Sequence, residues 1–244
     1  MQKHLYQKYI EVEKDHWWFV GRRKIVLNLF ADYGIKPAGA KILDFGCNHG
    51  FFAGELQKKG FNVYGIDISQ EAIEAGRMAG VKNLTVSDFP ETKEKFSVIL
   101  CLDVLEHIEN DKMAFDKMFE ALLPGGIIII MVPALSFLWG VQDVAAKHFR
   151  RYNKNSLQAV LNKKDGRILR LSYFNFILFP AIASVRLLAK IIKPKRASDF
   201  EMGNKFANSI LKGIFLFEVW LFKFMNFPVG VSILAVIKKN ENLH

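Results

Sequence analysis

Between residues 41 and 132, short apolar runs alternate with segments of helical character, and this order restricts the fold more than any other feature. The runs have the length and the β-branched content of buried strands. They are KILDF at 41–45, FNVYGI at 61–66, LTV at 84–86, SVILCL at 97–102 and IIIIMV at 127–132. Helices are predicted between them over 51–59, 70–79 and 111–122. This alternation predicts an α/β fold, a parallel sheet with helices on both faces.

Two more strands are predicted beyond residue 150. Asn153 is placed to cap a helix that ends at Leu161. The run RILRLSYF at 167–174 is typical of a sixth strand, and VGVSILAVI at 229–237 is typical of a seventh. We expect one domain over residues 1–244, because α/β chains of about 200–250 residues commonly fold as one unit.

The segment LDFGCNHG, which begins at Leu43 and ends at Gly50, is the strongest candidate for a binding site. Small residues at 46 and 50 let the backbone turn sharply at the end of the first strand. The helix that follows offers its N-terminal amides to a carboxylate or a phosphate. Similar turns occur without a ligand, so the segment alone predicts only that a ligand can approach here.

Acidic residues after the next two strands complete a nucleoside site. Asp67 closes the second strand, where its carboxylate can accept hydrogen bonds from both hydroxyls of a ribose. Asp88 follows the third strand and can meet the amino group of an adenine. Either residue alone is an ordinary acid at a strand end. Together with the glycine turn, they predict a ligand that contains adenosine.

Five segments within residues 42–133 carry a resemblance to a known family. They are ILDFGCNHG at 42–50, YGIDIS at 64–69, SDF at 87–89, LDVLEHI at 102–108 and PGGIIIIMVP at 124–133. With them the chain resembles the class I S-adenosylmethionine-dependent methyltransferases from about Trp17 to Ile237. The resemblance implies a Rossmann-like sheet of seven strands, mostly parallel, whose last strand runs antiparallel between the fifth and the sixth. An apolar helical insert is expected between strands six and seven.

The resemblance also implies which residues bind S-adenosylmethionine. The set is Asp44, Gly46, Cys47, Gly50, Asp67, Ile68, Asp88, Phe89 and Leu102. By the family pattern, Asp67 holds the ribose, while Asp88 and Phe89 flank the adenine. One position departs from that pattern, because the middle glycine of the turn is Asn48 here. Asparagine tolerates left-handed backbone geometry better than most residues, so we expect the turn to be kept.

Motifs near the two ends of the core resemble a bacterial-type subgroup of the family. They are HWWFVGRR at 16–23 and WGVQDVAAKHFRRY at 139–152. The aromatic residues of the first motif either form a lid over the cofactor, with Arg22 reaching its carboxylate, or staple an N-terminal helix to the core. The expected layout is a helical lid at 1–35, a cofactor-binding core at 40–170, an apolar and basic helical insert at 175–227 and the last strand at 228–238.

Two histidines are candidates for the base that removes a proton from a methyl acceptor. His148 lies past the fifth strand, where folds of this kind present loops to the substrate. The adjacent Arg150 and Arg151 either clamp a substrate carboxylate or phosphate or pair with Asp143. His107 either orients the site or helps with proton removal.

The motif that contains His107 also has a second interpretation. In a few related methyltransferases a similar acid-x-x-Glu-His sequence carries a divalent metal. Asp103, Glu106 and His107 are therefore weak candidates for a metal site, since they supply three suitable ligands within five residues. Most relatives with this motif are not known to need a metal, so we expect S-adenosylmethionine as the cofactor and no metal.

Charge is divided unevenly along the chain. Residues 1–140 carry 16 Lys and Arg against 18 Asp and Glu, whereas residues 141–244 carry 18 against 6. The basic half predicts an anionic partner, either acidic lipid headgroups or a phosphorylated substrate, in preference to nucleic acid. Cys47 and Cys101 form no CxxC pair, and the N-terminus has no apolar core of signal-peptide type. A cytoplasmic location is therefore expected.

The expected insert is apolar and basic. Polar or helix-breaking residues interrupt its first half, so no run is long enough to span a bilayer. In its second half a narrow polar stripe lies on an otherwise apolar helix; the stripe consists of Lys205, Ser209, Lys212 and Lys223. The basic segment 193–196 joins the two halves. Three roles fit: peripheral contact with the inner face of an anionic membrane, a lid over an apolar substrate, and a homodimer interface.

These observations predict the transfer of a methyl group from S-adenosylmethionine, chiefly to an oxygen, on an amphipathic or lipid-linked small-molecule acceptor. Catalysis would then be mostly positioning. Two alternatives remain open. A nicotinamide-dependent oxidoreductase also uses a glycine turn and an acid after the second strand, although GCNHG is not GxGxxG. The other alternative is a membrane-docked scaffold that binds the cofactor without turnover.

Overall fold

The computed structural model describes residues 12–89, 94–192 and 205–241. Its strands are β1 (Lys41–Phe45), β2 (Asn62–Asp67), β3 (Leu84–Val86), β4 (Phe96–Leu102), β5 (Leu122–Pro133), β6 (Gly166–Phe174) and β7 (Ser232–Lys239). Its α-helices include α1 (Trp17–Asp32), α2 (Phe51–Lys58), α3 (Gln70–Met78), α4 (Asp111–Ala121), α5 (Val141–Ala145), α6 (Lys154–Leu161), α7 (Phe179–Ile192) and α8 (Lys205–Leu221). The first eleven residues of the expected lid and the basic segment 193–196 lie outside the described residues.

The strands form one sheet in the order β3-β2-β1-β4-β5-β7-β6. β1 pairs in parallel with β2 and β4, and β4 pairs in parallel with β5. β7 runs antiparallel to both β5 and β6. The expected seven-stranded, mostly parallel Rossmann-like sheet is confirmed, including the antiparallel strand between the fifth and the sixth. The carboxyl ends of the parallel strands share one edge, where ligands bind in folds of this kind.

β5 begins earlier than the sequence predicts. Helix α4 ends at Ala121, and Leu122 already has extended backbone and pairs with Phe96. The register between β4 and β5 then shifts, so that Val98 faces Ile127. The Pro124–Gly126 segment is thus part of the strand rather than a separate turn, because an irregular stretch of pairing absorbs it.

β7 begins later than the sequence predicts, at Ser232 instead of residue 228 or 229. The preceding Gly230 crosses close to the end of β6, where a Cβ would overlap the carbonyl oxygen of Phe174. Val231 donates its backbone N–H to the carbonyl of Asn175 at 3.4 Å. The chain therefore makes a tight crossing against β6 before it enters the sheet.

The N-terminal helix α1 packs on α8. A Cβ at Gly21 would overlap the ring of Phe215, so the two helices approach more closely here than a larger residue would allow. The Trp18 ring stacks on Phe174 and on Phe215, with ring centroids 5.6 and 5.7 Å apart. On this face of α1 the aromatic motif therefore packs against the core as the staple interpretation predicts. α7 and α8 both lie between β6 and β7, and no helix in the described ranges is long and apolar enough to cross a bilayer.

Candidate functional site

A cavity of about 1250 Å³ opens at the carboxyl ends of β1, β2 and β4. It exceeds the roughly 300–1000 Å³ of an ordinary small-molecule pocket. Nearly all the predicted cofactor residues line it, together with both candidate histidines; the cofactor residues among them are Arg22, Asp44, Gly46, Cys47, Asp67, Ile68, Asp88, Phe89 and Leu102. The size leaves room for a cofactor and an acceptor side by side.

Gly50 is the predicted cofactor residue that does not line the cavity. It is the N-cap of α2 and has left-handed backbone with φ of 72°. A Cβ there would lie 2.9 Å from the Leu84 side chain. Gly50 shapes the turn from behind, since its missing side chain lets β3 pack against the loop.

The turn after β1 relies on left-handed backbone at Gly46 and Asn48 as well, with φ of 73° and 54°. The backbone N–H groups of Gly46 and Cys47 both donate to the carbonyl of Ile66, at 2.8 and 3.0 Å. Asn48 thus takes the geometry that the family gives to glycine. A Cβ at Gly46 would overlap the Val104 side chain, so this position has no room for a larger residue.

Asp67 lies at the end of β2 with both carboxylate oxygens oriented by backbone groups. Oδ2 accepts a hydrogen bond from the N–H of Asn48 at 2.9 Å, and Oδ1 accepts one from the N–H of Ser69 at 2.9 Å. Each oxygen keeps a lone pair for a further donor. The neighbouring Ile68 is largely exposed, which suits an apolar cover for a flat ring. This arrangement has the polar groups that a ribose needs.

The predicted cofactor residues that follow the ends of the parallel strands form a row along the cavity, here called the cofactor row. Asp88 and Phe89 lie at its far end. Asp88 is exposed, whereas Phe89 is half-buried and packs against Phe45 with ring centroids 5.9 Å apart. The ammonium group of Lys117 lies 3.8 Å from the centre of the Phe89 ring. A planar group between Phe89 and Ile68 would have an apolar face on each side and a carboxylate at its edge.

The opposite end of the row is more deeply buried and more strongly charged. Burial raises the pKa of Asp44 to about 7, and the nearby carboxylates of Glu13 and Asp67 add to the shift, although Arg22 opposes it. Glu13 also lines the cavity, and burial raises its pKa as well. Asp44 and Glu13 thus place two buried carboxyl groups here against the single guanidinium of Arg22. This excess of acidic groups predicts a preference for a ligand with a positive charge. Glu13 is not identified by the sequence, because its part in the site depends on the packing of the N-terminal segment.

Arg22 is held in the wall of the cavity by the end of β4. Its Nη1 donates to Oδ2 of Asp103 at 2.7 Å and to the carbonyl of Leu102 at 3.4 Å. Arg23, by contrast, points away from the cavity and pairs with Glu55 at 2.8 Å. Of the two adjacent arginines, only Arg22 is placed to meet a bound carboxylate.

His148 has a buried carboxylate behind it. Its Nδ1 lies 2.9 Å from Oδ1 of Asp143, a residue with no solvent exposure. Burial acts to raise the pKa of Asp143, but hydrogen bonds from His148 and Arg151 outweigh it and lower the pKa to about 2. Because an ionised carboxylate only accepts, we assign the proton to Nδ1 of His148. The Nε2 lone pair is then left on the side of Glu106, whose Oε1 lies 3.9 Å away.

The two arginines beside His148 are engaged within the protein. Arg151 forms a bidentate pair with Asp143, at 2.8 and 3.0 Å, and donates to the carbonyl of Ala134. Arg150 pairs with Asp111 at 2.7 Å. Of the two alternatives, pairing within the protein describes these guanidinium groups in the structure, and the clamp of a substrate anion stays a prediction. Pairing with Asp143 describes Arg151 alone.

A different set of residues from the predicted one could hold a metal ion. Glu106, His107 and His148 each offer a ligand atom, and these atoms lie within 4.8 Å of one another. Asp103 is outside this group and pairs with Arg22 instead. Burial is the main cause that lowers the pKa of His107 to about 3 and raises that of Glu106 well above its usual value. The group is compact but carries little charge, because a buried Glu106 tends to be protonated.

The remaining wall of the cavity is apolar and comes from parts of the chain that the sequence does not connect with the site. It consists of Leu178, Ala181, Ile182 and Val185 around α7 and Leu211 on α8. The polar side chains that also line this end include Arg186 on α7, whose Nη1 donates to the carbonyl of Leu138 at 2.8 Å, and Asn175. Asn175 is 1% exposed, lines the cavity, and its Oδ1 has no hydrogen-bond partner. The wall thus has the composition of a pocket for an apolar molecule with a polar substituent.

The sheet order, the glycine turn and the row of strand-end acids together define a Rossmann-like methyltransferase fold. The chain belongs to the family of methyltransferase domains, whose family model matches residues 16–169. It therefore has the fold and the methyl donor, S-adenosylmethionine, of that family. This assignment argues against the alternative that the chain is a nicotinamide-dependent oxidoreductase.

Curated relatives match only the central part of the chain. The ubiquinone biosynthesis O-methyltransferase of Rickettsia typhi is 34% identical over 97 residues, which cover 37% of this chain and 39% of the relative. The protein of the same name from Chelativorans sp. is 30% identical over 117 residues, 42% of this chain and 46% of the relative. The match thus spans less than half the length of these relatives.

Solved structures match nearly the whole chain at low identity. A putative sarcosine dimethylglycine methyltransferase from Galdieria sulphuraria has a TM-score of 0.62 at 16% identity, and the match covers 92% of this chain and 88% of that one. The plantazolicin methyltransferase BpumL, solved in complex with SAH, has a TM-score of 0.59 at 14% identity and covers 96% and 88%. At this identity the likeness shows the fold alone.

Proposed function

We propose that this protein transfers a methyl group to an oxygen atom of an amphipathic or lipid-linked acceptor, at the cytoplasmic face of a membrane. The observation that carries the proposal is the pairing of His148 with buried Asp143 in a cavity that also contains the cofactor row. The names of the curated relatives support an oxygen acceptor. The apolar wall around α7 supports an acceptor with an apolar body.

The residues at the strand ends fit S-adenosylmethionine in charge and order. Asp44 and Glu13 would face its ammonium group, Arg22 its carboxylate, Asp67 its ribose, and Asp88 with Phe89 its adenine. The bound cofactor supplies an electrophilic methyl group on a sulfonium. The chain itself contributes position, charge and the exclusion of water, which together supply most of the rate enhancement in such a transfer.

His148 acts as the general base. The acceptor hydroxyl gives its proton to Nε2 while its oxygen forms the bond to the methyl carbon and the electron pair of the broken carbon–sulfur bond stays on sulfur. Asp143 fixes the ring orientation and stabilises the imidazolium that forms. Despite burial, the hydrogen bonds from His148 and Arg151 lower the pKa of Asp143 to about 2, so this carboxylate stays ionised near neutrality.

The test uses dodecylcatechol, which joins hydroxyl groups to an apolar chain, as the methyl acceptor. The rate of methyl transfer is compared between the wild type and His148→Gln. Loss of a general base lowers kcat by about 10²–10⁴-fold. The affinity for S-adenosylhomocysteine should stay unchanged, because His148 is absent from the cofactor row. Equal turnover in the variant would contradict the base role. A protein that binds the cofactor but never transfers its methyl group, even to a wide panel of acceptors, would favour the scaffold alternative.

His107→Gln separates the base from a metal-dependent mechanism, because Glu106, His107 and His148 together could bind a divalent cation. If His148 acts as a base, His107→Gln should lower kcat by less than tenfold and a chelator should have no effect. Loss of turnover in both variants and with chelator, restored by added Mg²⁺ or Zn²⁺ in the wild type, would instead assign a metal site.

A further inference from the structure

Helix α8 turns an apolar face away from the protein. Its core side is formed by Phe215, Glu218 and Val219, all of them buried. The opposite side carries large apolar side chains with a third to three quarters of their surface exposed: Phe206, Ile210, Leu216, Phe217 and Trp220, followed by Phe224 beyond the end of the helix. An outer helix normally has the reverse pattern. This face therefore meets something other than water.

Helix α7 continues the cavity wall onto the surface. Ala181, Val185, Leu188 and Ile192 are spaced so that they lie along one strip of the helix. Ala181 and Val185 line the cavity although both are exposed, Val185 at 56%, and Leu188 and Ile192 continue the exposed strip at 54% and 72%. An apolar chain attached to a group in the cavity could leave it along this strip without crossing a polar surface.

The charges around these two apolar surfaces have one sign. The described charged residues of α7 and α8 are basic except Glu218, which is buried and accepts a hydrogen bond from the N–H of Ile177. The basic residues are Arg186 and Lys190 on α7, Lys205 and Lys212 on α8, and Lys223 just after it. Residues 175–227 contain eight Lys and Arg against three Asp and Glu. Such a surface is complementary to an anionic partner.

We propose that α7 and α8 dock in the plane of an anionic lipid bilayer, with the apolar side chains among the acyl chains and the lysines at the headgroups. Trp220 suits that boundary, because indole has an apolar body and a polar N–H. The strip on α7 then opens the cavity towards the bilayer. The docking itself does not require methyl transfer, but the route for a lipid-linked acceptor rests on the function proposed above.

A second copy of this chain fits the surface less well. A two-fold interface places the same patch on both sides, so the basic residues of both copies would be brought into one interface. Like charges opposed across an interface are unfavourable, and no described acidic residue on α7 or α8 is exposed to compensate. A bilayer of anionic lipid supplies the missing negative charge.

The experiment is sedimentation of the full chain with vesicles of phosphatidylglycerol or of phosphatidylcholine. The wild type should bind the anionic vesicles and be released by salt. Lys205→Gln, Lys212→Gln and Lys223→Gln together should weaken binding by about 100-fold, at about fivefold for each charge. The control removes three exposed lysines elsewhere, Lys58→Gln, Lys59→Gln and Lys82→Gln, and should bind like the wild type.

The apolar contribution is tested separately. Phe217→Ser with Trp220→Ser should weaken vesicle binding at least tenfold, whereas Met78→Ser, at a fully exposed apolar residue on α3, should not change it. With Trp220→Phe, binding should persist, but quenching of tryptophan fluorescence by brominated phosphatidylglycerol should fall. Circular dichroism of every variant establishes that it is folded.

Three results would overturn the docking proposal. They are the absence of binding to phosphatidylglycerol vesicles, equal binding to both lipids by all variants, and a stable dimer in solution that Trp220→Ser dissociates. S-adenosylhomocysteine binding and turnover of a soluble catechol test the proposed function instead. A chain that is active on catechol but indifferent to vesicles retains the proposed methyl transfer and loses both the docking and the proposed membrane location.

Discussion

The two ends of the cavity are built in different ways. Most of the cofactor end consists of residues that directly follow neighbouring strands and are held by backbone hydrogen bonds, as Asp67 is by the N–H groups of Asn48 and Ser69; Glu13 and Arg22 are added by the N-terminal segment. The acceptor end uses His148, Asn175, α7 and α8, which are distant in sequence and mostly apolar. The fold therefore fixes the cofactor geometry, while the acceptor end is free to differ between relatives of the same fold.

The largest effect on stability is expected when the buried ion pair between Asp143 and Arg151, next to His148, is broken. Asp143→Asn removes the partner of Arg151 and should lower the free energy of unfolding by roughly 3–5 kcal/mol, because it leaves a buried guanidinium uncompensated. Urea denaturation at pH 7 measures this. The matched change Asp116→Asn breaks partly exposed pairs with Lys112 and Lys163 at the surface and should cost less than about 1 kcal/mol. Similar values for the two variants would mean that the Asp143 pair does not organise the acceptor end.

The effect of Asp143→Asn on stability should also depend on pH. The pKa of Asp143 is about 2 in the folded protein and about 4 in an unfolded chain. A lowered carboxyl pKa stabilises the folded state above the unfolded pKa, and this stabilisation is lost as pH falls through about 4 towards 2. The difference between the wild type and Asp143→Asn should shrink over that range.

At the cofactor end, Asp67→Ala should weaken S-adenosylhomocysteine binding about 100-fold. The substitution removes two charge-assisted hydrogen bonds to the ribose, which contribute roughly 1.5–3 kcal/mol each in net terms, so about 100-fold is the lower end of the expected loss. Isothermal titration calorimetry measures the change. Asp32→Ala, at an exposed acid on α1, is the control and should leave the affinity unchanged. An unaltered Kd for Asp67→Ala would place the ribose elsewhere.

A smaller effect concerns pH and the methionine end. Asp44 has a folded pKa of about 7, and a protonated carboxyl attracts an ammonium group less strongly. The affinity for S-adenosylhomocysteine should therefore fall by up to tenfold per pH unit below 7 and level off above it. Asp44→Asn should bind more weakly and lose this pH dependence. A pH profile that persists in Asp44→Asn would exclude Asp44 as its source.

The smallest effect is expected from changes in the apolar strip on α7, where the apolar chain of the acceptor is proposed to lie. Leu188→Ser should raise the KM for dodecylcatechol several-fold and leave the KM for catechol unchanged, because only the longer substrate reaches the exposed part of α7. Val144→Ser, at an exposed apolar residue on α5, is the matched control. If Leu188→Ser affects both substrates equally, the strip is not the path of the apolar chain.

The same contrast between the two ends explains what the sequence could and could not predict. The strand order and Asp67 follow from local patterns, namely apolar runs, glycine turns and acids at strand ends. Gly50 was placed in the site by its motif, yet only the packing of Leu84 shows that it supports the turn from behind. Local pattern does not specify which side of a turn faces the ligand.

At the acceptor end, pattern identifies His148 but not its partners. Glu106 precedes it by more than forty positions, and the 3-10 turn Leu105–His107 and the loop after β5 meet only in the folded chain. Asp143 lies on the short helix α5 and Arg151 in the loop after it, and the sequence offers their pairing only as one of two alternatives, because spacing does not decide which carboxylate a guanidinium group binds. Asn175, whose Oδ1 has no hydrogen-bond partner, lies where the chain after Gly230 crosses the end of β6 and the N–H of Val231 donates to the Asn175 carbonyl. Such contacts are set by tertiary packing, which no periodicity encodes.

The most direct test of the central claim, that the strand-end row holds S-adenosylmethionine, is calorimetry of the pure protein with S-adenosylhomocysteine and, separately, with NADH. The account predicts one binding site for S-adenosylhomocysteine that Asp67→Ala weakens and His148→Gln preserves, and no heat of binding with NADH. Absence of binding to S-adenosylhomocysteine, or binding that Asp67→Ala leaves intact, would contradict it.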